Sequence, residues 1–148
     1  MILYTHPVSH AEGYQSVPLT YEQRLRSRLF LHLGARGAAH IILPRGMRLC
    51  SGLHVKADDG SVLRIESAGE AVSIVKGTGM DLARATYHLG HRQIPAAIHD
   101  GSVSYQKDLV IDDLMKELGF DVTHGNQPFE PEIGPVASRD HEFRRTGP

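Results

Sequence analysis

The 148-residue chain changes its pattern near residue 70, and this change constrains the fold more than any other feature. Before it, short apolar runs alternate with glycine-containing turns, which is typical of antiparallel strands. After it, two segments with helical spacing of apolar residues alternate with short apolar runs. The pattern therefore predicts a mainly β N-terminal module over residues 1–70 and an α+β domain that begins at residue 71.

Two hairpins are predicted in the first module, each made of two short apolar runs around a glycine-containing turn. The runs and their turns are 28–33 and 39–43 around 34–37, and 53–56 and 62–67 around 58–60. Asp59-Gly60 is a strong signal for a tight hairpin turn. Pro44-Arg45-Gly46 predicts a further turn, because proline fixes φ and glycine accepts positive φ.

The second module is predicted to follow the order βαββαβ over residues 71–126, which is a ferredoxin-like arrangement. Its predicted strands are 71–76, 94–98, 102–105 and 120–124. Thr78 and Asp108 are suitable N-cap residues for the two helices, and Gly90 and Gly119 are suitable stops. Residues 127–148 contain several prolines, and we expect them to form a partly disordered tail.

Catalytic motifs are absent from the sequence, which contains no P-loop, GxGxxG, HExxH or GxSxG pattern. Asp112 and Asp113 lie in the first half of the second helix, where we expect solvated carboxylates rather than catalytic ones. Asp112 and Lys116 have the i, i+4 spacing of a helical ion pair. The residues do not suggest an enzyme.

The net charge of −1 hides an uneven distribution. Residues 1–57 contain seven Lys or Arg and two Glu, whereas the remainder is acidic. No aromatic set accompanies the arginines, so we expect no nucleic-acid binding. A solvated strand face is the preferred interpretation, and a docking surface for an acidic protein is the second. Cys50 is the only cysteine, and no apolar run could span a bilayer, so we expect a cytoplasmic protein.

Histidine is abundant, with ten residues in the chain. His88 and His91 have i, i+3 spacing at the end of the first helix, and imidazole is a common ligand of nickel, copper and zinc. Alternatively, His88 is a half-buried, hydrogen-bonded residue without a role. If Gly90 ends the helix, His91 lies in a loop. His99 and His124 have no evident partner, and the other histidines of the two modules are expected at the surface or in strands: His6, His10, His32, His40 and His54.

Short motifs across both modules carry a family resemblance. In the first half these are 19–22 with Arg24, Ser27 and Arg28, then 43–46, 59–60 and Glu70. In the second half they are 87–90, Arg92, Pro95, 112–113, 118–119, and 128–132 followed by Gly134. Each motif is weak by itself, but their order and spacing make the chain similar to the UreE-type urease accessory proteins, which are nickel metallochaperones.

The resemblance implies a partner-binding N-terminal domain and a C-terminal domain that forms a homodimer. It also implies that histidines of both subunits and of the tail hold one nickel ion. In this chain Gln93 stands where the family has its usual ligand histidine, and a neutral amide oxygen is a poorer nickel ligand than imidazole. We therefore predict metal contacts by His91 and His141, then His88.

The expected function is nickel donation to the urease apoprotein together with other urease accessory proteins. Two alternatives stay open. One is a metal-free scaffold of the urease activation complex, which the Gln93 substitution favours. The other is an enzyme in which His88 or His91 acts as a general base, although no partner motif accompanies them.

Overall fold

A computed structural model describes residues 1–133. They form two compact units, Met1–Ser67 and Ala68–Ile133. Most regular structure in both units is β. Within residues 1–133, no helix combines the length and apolarity that a membrane span requires.

The first unit contains one six-stranded sheet. Its strands are β1 (Ile2–Val8), β2 (Tyr14–Leu19), β3 (Arg28–His32), β4 (Ala38–Ile42), β5 (His54–Ala57) and β6 (Val62–Ser67), in the order β2-β6-β5-β1-β4-β3. A short helix, α1 (Tyr21–Arg24), follows β2, and a 3-10 turn (Gly34–Arg36) joins β3 to β4. The alternate residues that point inward form one apolar core that includes Tyr4, Leu19, Ile41, Leu63 and Ile65.

Both predicted hairpins are confirmed, because β3 pairs antiparallel with β4 and β5 pairs antiparallel with β6. The turn between β5 and β6 depends on local chemistry. Gly60 has a φ of 89°, and the Asp59 carboxylate accepts a hydrogen bond from the Ser61 backbone N–H at 2.9 Å. The predicted turn at 44–46 is also present, with Gly46 at a φ of 87°. Helix α1 was not predicted, since it is only four residues long.

The second unit has the predicted element order βαββαβ. Its elements are β7 (Gly69–Lys76), α2 (Gly79–His91), β8 (Ala97–His99), β9 (Ser102–Gln106), α3 (Leu109–Glu117) and β10 (Val122–Pro128). The sheet order is β10-β7-β9-β8, and all three pairs are antiparallel. Residues of α2, α3 and the sheet share a core built from Val75, Ala85, Leu89, Val103, Tyr105 and Met115.

The prediction that Gly90 ends the first helix was wrong, because α2 continues to His91. The N–H of Ile94 donates to the carbonyl of Leu89 at 3.0 Å, and the N–H of Gln93 donates to that of Gly90 at 3.0 Å. This is the Schellman pattern, in which the residue between the two bonded ends adopts positive φ. Gln93 takes that conformation, with a φ of 57°. Thr78 is the N-cap residue as predicted, but its side chain makes no capping hydrogen bond.

Helix α3 begins and ends as predicted. The Asp108 carboxylate accepts hydrogen bonds from the N–H groups of Val110 and Ile111, and Gly119 follows the helix with a φ of 95°. The predicted ion pair between Asp112 and Lys116 was wrong, because Asp112 points into the protein and only 1% of it is exposed.

Strand β10 is longer than predicted and reaches Pro128. Pro128 is tolerated because β10 lies at the sheet edge, where a missing N–H disrupts little of the ladder. Beyond it, Phe129 is fully buried, and the N–H of Glu132 donates to the carbonyl of Ala96 at 2.9 Å. Residues 127–133 of the predicted tail are therefore ordered, and the rest of that tail lies outside the described residues.

Candidate metal site at the end of helix α2

The outward face of α2 carries Met80, Arg84, Tyr87 and His91, which follow the i, i+4, i+7, i+11 spacing of one helical stripe. This stripe lies opposite Ala85 and Leu89, which are fully buried against the sheet. Met80 is 67% exposed and Tyr87 is 64% exposed. Two large apolar side chains are thus presented to solvent on a helix that ends in a histidine.

His91 is the last residue of α2 and is exposed. The Tyr87 ring lies nearly parallel to its imidazole, at an angle of 16° and with 5.8 Å between the ring centroids. Because His91 belongs to the helix rather than to a loop, its position is set by α2. The imidazole is available to an external ligand, and the tyrosine ring limits the directions from which that ligand can approach.

His88 is half-buried one turn earlier and has a cationic neighbour. Nη1 of Arg92 donates to the His88 carbonyl at 3.2 Å and lies 3.5 Å from Nδ1 of the same residue. A guanidinium so close to the ring disfavours a second cation at that nitrogen. The ring of His88 is therefore half-buried beside a polar neighbour, and it is less available to an external ligand than the exposed ring of His91.

Gln93 adopts a backbone conformation that is unfavourable for residues other than glycine. It is the only residue other than glycine with positive φ among residues 1–133. At positive φ the Cβ atom lies too close to the following carbonyl oxygen. Glutamine at this position therefore costs about 1 kcal/mol relative to glycine. The hydrogen bonds to Leu89 and Gly90, together with packing of Ile94 onto the core beside Leu89, compensate for the strain. The side chain itself is exposed.

The other predicted ligand, His141, lies outside the described residues. Within residues 1–133, no three His, Cys, Asp or Glu side chains come together as a group that could hold a metal ion. The structure therefore brings His88 and His91 to the same end of α2, and it adds Tyr87 and Arg92 as neighbours that the sequence did not predict.

A further histidine, His124, has a partner that the sequence did not reveal. Its Nε2 lies 2.6 Å from Oδ2 of Asp112, and the Tyr105 hydroxyl donates to the other carboxylate oxygen at 2.7 Å. Ser73 faces His124 across one strand pair and Tyr105 across the next, so the three side chains form a row on the face that Asp112 covers. The predictions of a solvated Asp112 and an unpartnered His124 were both wrong.

Electrostatics in this row favour an ionised carboxylate. Burial alone would raise the pKa of Asp112, but the nearby Ser73 hydroxyl and hydrogen bonds from Tyr105 and His124 together hold it below its ordinary value. The contact with the Ser73 hydroxyl lowers the pKa although its geometry is not that of a regular hydrogen bond. One sequence signal was available, because Asp112 lies three residues before the buried Met115 and so shares its face of α3.

Comparison with known proteins gives a consistent result. The family model described as the UreE urease accessory protein, C-terminal domain, matches residues 70–146. The urease accessory protein UreE of Enterobacter sp. (strain 638) is 38% identical over 144 residues, which cover 95% of this chain and 95% of the relative. The protein of the same name from Alkalilimnicola ehrlichii is 42% identical over 120 residues, covering 80% of this chain and 74% of the relative.

A third relative is the urease accessory protein UreE of Acinetobacter baumannii, which is 32% identical over 138 residues, covering 93% of this chain and 86% of the relative. The matches place this two-unit, mainly β chain, with histidines at the end of α2, in a class of accessory proteins. It belongs to the UreE family of urease accessory proteins, a membership consistent with a role in urease maturation.

Proposed function

We propose that this protein binds nickel and donates it during assembly of the urease metallocentre. It acts in the cytoplasm as a homodimer, and its partners are the urease apoprotein and other urease accessory proteins. The observation that carries the proposal is the exposed imidazole of His91 at the end of α2, in a chain of the UreE family. Imidazole is a suitable ligand for a borderline divalent ion such as Ni²⁺.

The exposed stripe of α2 supports the homodimer. Met80 and Tyr87 are exposed on one face of α2, with Arg84 between them, and exposed large apolar side chains on one face are a common feature of association sites. If two copies meet through this face around a two-fold axis, each contributes its own His91 near the axis. The second unit is then the dimerisation domain, and its strand order β10-β7-β9-β8 supports a ferredoxin-like topology for it.

Two imidazoles leave an open and weak site, which suits an ion that must be passed on. We propose His141 of the C-terminal region as the next ligand. His88 ranks third, because the Arg92 guanidinium lies beside its ring. Protons compete with the metal for every imidazole, so nickel affinity falls as the pH falls.

A metal-free scaffold is the second candidate, and Gln93 favours it. The backbone of this residue caps α2, while its side chain offers only an amide oxygen where the family resemblance leads one to expect a histidine. In that case the protein would keep its partner surfaces and have no nickel site.

Calorimetric titration of the purified protein with Ni²⁺ near neutral pH separates the two candidates. We expect one ion per dimer, with at least about a tenfold loss of affinity in His91→Ala, because one substitution removes a ligand from both subunits. His99→Ala is the matched control, since His99 is also exposed and lies on β8 of the same unit. Absence of binding in the wild-type dimer would rule out the nickel proposal in favour of the scaffold.

The Gln93→His variant tests the same question from the other side. If the wild-type dimer binds nickel through His91, an additional imidazole next to it should raise the affinity by about tenfold or more. A site that appears only in Gln93→His, with no binding by the parent, would support the scaffold. Analytical ultracentrifugation of each variant verifies that the dimer is retained.

A further inference from the structure

A basic cleft lies at the start of β3 in the first unit. Its volume is about 620 Å³, and it is lined by Leu25, Arg26, Ser27, Arg28, Leu43 and Arg45. The three arginines are exposed, and none of them makes an ion pair within residues 1–133. Three guanidinium groups around one cleft, with no ion pair in the described part of the chain, favour a ligand that carries several carboxylates.

The cleft shares Arg28 with β3, which is an edge strand of its sheet. In the described part of the chain this strand pairs only with β4, which leaves its outer edge open. The N–H of Leu43 donates to the Ser27 carbonyl, and the N–H of Leu33 donates to the Gly37 carbonyl, both at 2.8 Å. Bonded and non-bonded pairs alternate in an antiparallel ladder, so the backbone groups of Arg28, Phe30 and His32 point outward.

Phe30 lies at the middle of this strand edge. Phe30 is 67% exposed and stacks on His40 of the neighbouring strand, with 3.9 Å between the ring centroids. Leu3 of β1 is also exposed and lies beside His40 in the parallel register, so the three side chains form a row on the outer face of the sheet. An exposed sheet edge with an aromatic anchor is suited to the addition of an extended peptide.

We propose that β3 and the basic cleft bind an extended acidic segment of a partner protein, which adds to the sheet as a seventh strand. The backbone groups of Arg28, Phe30 and His32 pair with the segment, Phe30 contacts its side chains, and Arg26, Arg28 and Arg45 bind its carboxylates. Charge complementarity indicates an acidic partner, because residues 1–67 contain eight Lys or Arg against five Asp or Glu, and three of the arginines line the cleft. This surface acts independently of nickel binding at α2.

The test uses the full chain and a fluorescent, N-acetylated peptide of alternating glutamate and valine. Fluorescence anisotropy should show binding that weakens with added salt, while a peptide of alternating lysine and valine should not bind. The triple variant Arg26→Glu, Arg28→Glu, Arg45→Glu should lose at least about tenfold in affinity, because each replacement turns attraction into repulsion. Lys56→Glu, an exposed change of the same sign on β5, should change the affinity less than about twofold.

Strand addition is tested separately at Phe30. Phe30→Pro removes an outward N–H without removing a bond to β4, and an edge strand tolerates such a proline. It should weaken binding by about tenfold, whereas Phe30→Ala, which keeps the N–H, should weaken it by about threefold. Hydrogen exchange of the wild-type protein should show that the peptide protects the amides of Phe30 and His32.

Three outcomes would overturn the proposal. Equal affinity of the triple arginine variant and Lys56→Glu would exclude the cleft. Unprotected Phe30 and His32 amides in the saturated complex would exclude strand addition, and this measurement does not depend on the folding of Phe30→Pro. Tighter binding of a single-stranded RNA probe than of the acidic peptide would identify the surface as a nucleic-acid site instead.

Discussion

Nε2 of His124 on β10 lies 2.6 Å from Oδ2 of Asp112 on α3, and this contact joins a helix to the edge strand of its sheet. A carboxylate accepts hydrogen bonds only, so the imidazole donates. The other carboxylate oxygen accepts from Tyr105 at 2.7 Å, and the hydroxyl of Tyr105 is buried as well. Asp112 therefore joins α3 to β9 and β10, and its charge is stabilised by groups from both strands.

Asp112→Ala should lower the free energy of unfolding by about 2–3 kcal/mol, because it removes hydrogen bonds to a buried charge and leaves the Tyr105 hydroxyl without its acceptor. Asp113→Ala is the matched control, since the neighbouring aspartate is exposed on the same helix and should change stability by less than about 0.5 kcal/mol. Urea denaturation measures both. Similar losses in the two variants would contradict the role assigned to Asp112.

The same carboxylate should make stability depend on acid pH. The folded-state pKa of Asp112 lies below its ordinary value, so its contribution is complete above about pH 4 and is lost as the pH falls through the folded-state pKa. Unfolding measurements between neutral and acid pH should show a steeper loss of stability in the wild type than in Asp112→Ala. Parallel curves would mean that Asp112 is not the group responsible.

Asp112 also shows where sequence reasoning reaches its limit. The capping residue Asp108 and the stop at Gly119 were predictable, because each depends on contacts within a few residues along the chain. The Asp112–His124 contact joins a helix to a strand, and the spacing of apolar residues along the sequence does not predict it. Likewise, the i, i+3 spacing indicated that His88 and His91 could face the same side of a helix, but the positive φ of Gln93 depends on Ile94 packing onto the core that contains Leu89.

Replacing Gly90 by alanine should stabilise the protein. It lies inside α2 without positive φ, and a Cβ built on it would meet nothing within 4 Å. Gly90→Ala should therefore raise the free energy of unfolding by about 0.5–1 kcal/mol, the difference between the two residues in a helix. Gly119 is the contrasting position, because its φ of 95° penalises a side chain. Gly119→Ala should cost about 1 kcal/mol or more. Thermal unfolding of both variants tests whether the signs differ.

Gln93 should tolerate glycine better than any branched residue. Gln93→Gly relieves the strain of positive φ and should stabilise the protein by a few tenths to about 1 kcal/mol, whereas Gln93→Val should destabilise it by about 1 kcal/mol or more. The same pair of changes at Gln106, which lies in β9, should have opposite signs, because a strand favours valine over glycine. Stabilisation of both sites by valine would contradict the assigned backbone conformation.

His54 should make the first unit sensitive to mildly acid pH. It is 2% exposed, and neither ring nitrogen makes a regular hydrogen bond within residues 1–133. Burial lowers its pKa, the nearby charges of His10 and Arg64 lower it further, and the carbonyl groups of Gly52 and Ser9 only partly oppose them. Below about pH 6.5, His54 therefore binds a proton in the unfolded chain but stays neutral in the folded protein. The free energy of unfolding must then fall as the pH falls.

His54→Phe keeps a ring of similar shape and removes the proton site. The variant should lose less stability than the wild type between pH 7 and pH 5, by up to about 1.4 kcal/mol per pH unit, which is the limit for one proton. His32→Phe is the control, because His32 is exposed on β3 and should leave the slope unchanged. Because His10 and Arg64 contribute to the shift, His10→Ala should give an intermediate slope. Equal slopes in His54→Phe and the wild type would show that another group is responsible for the pH dependence.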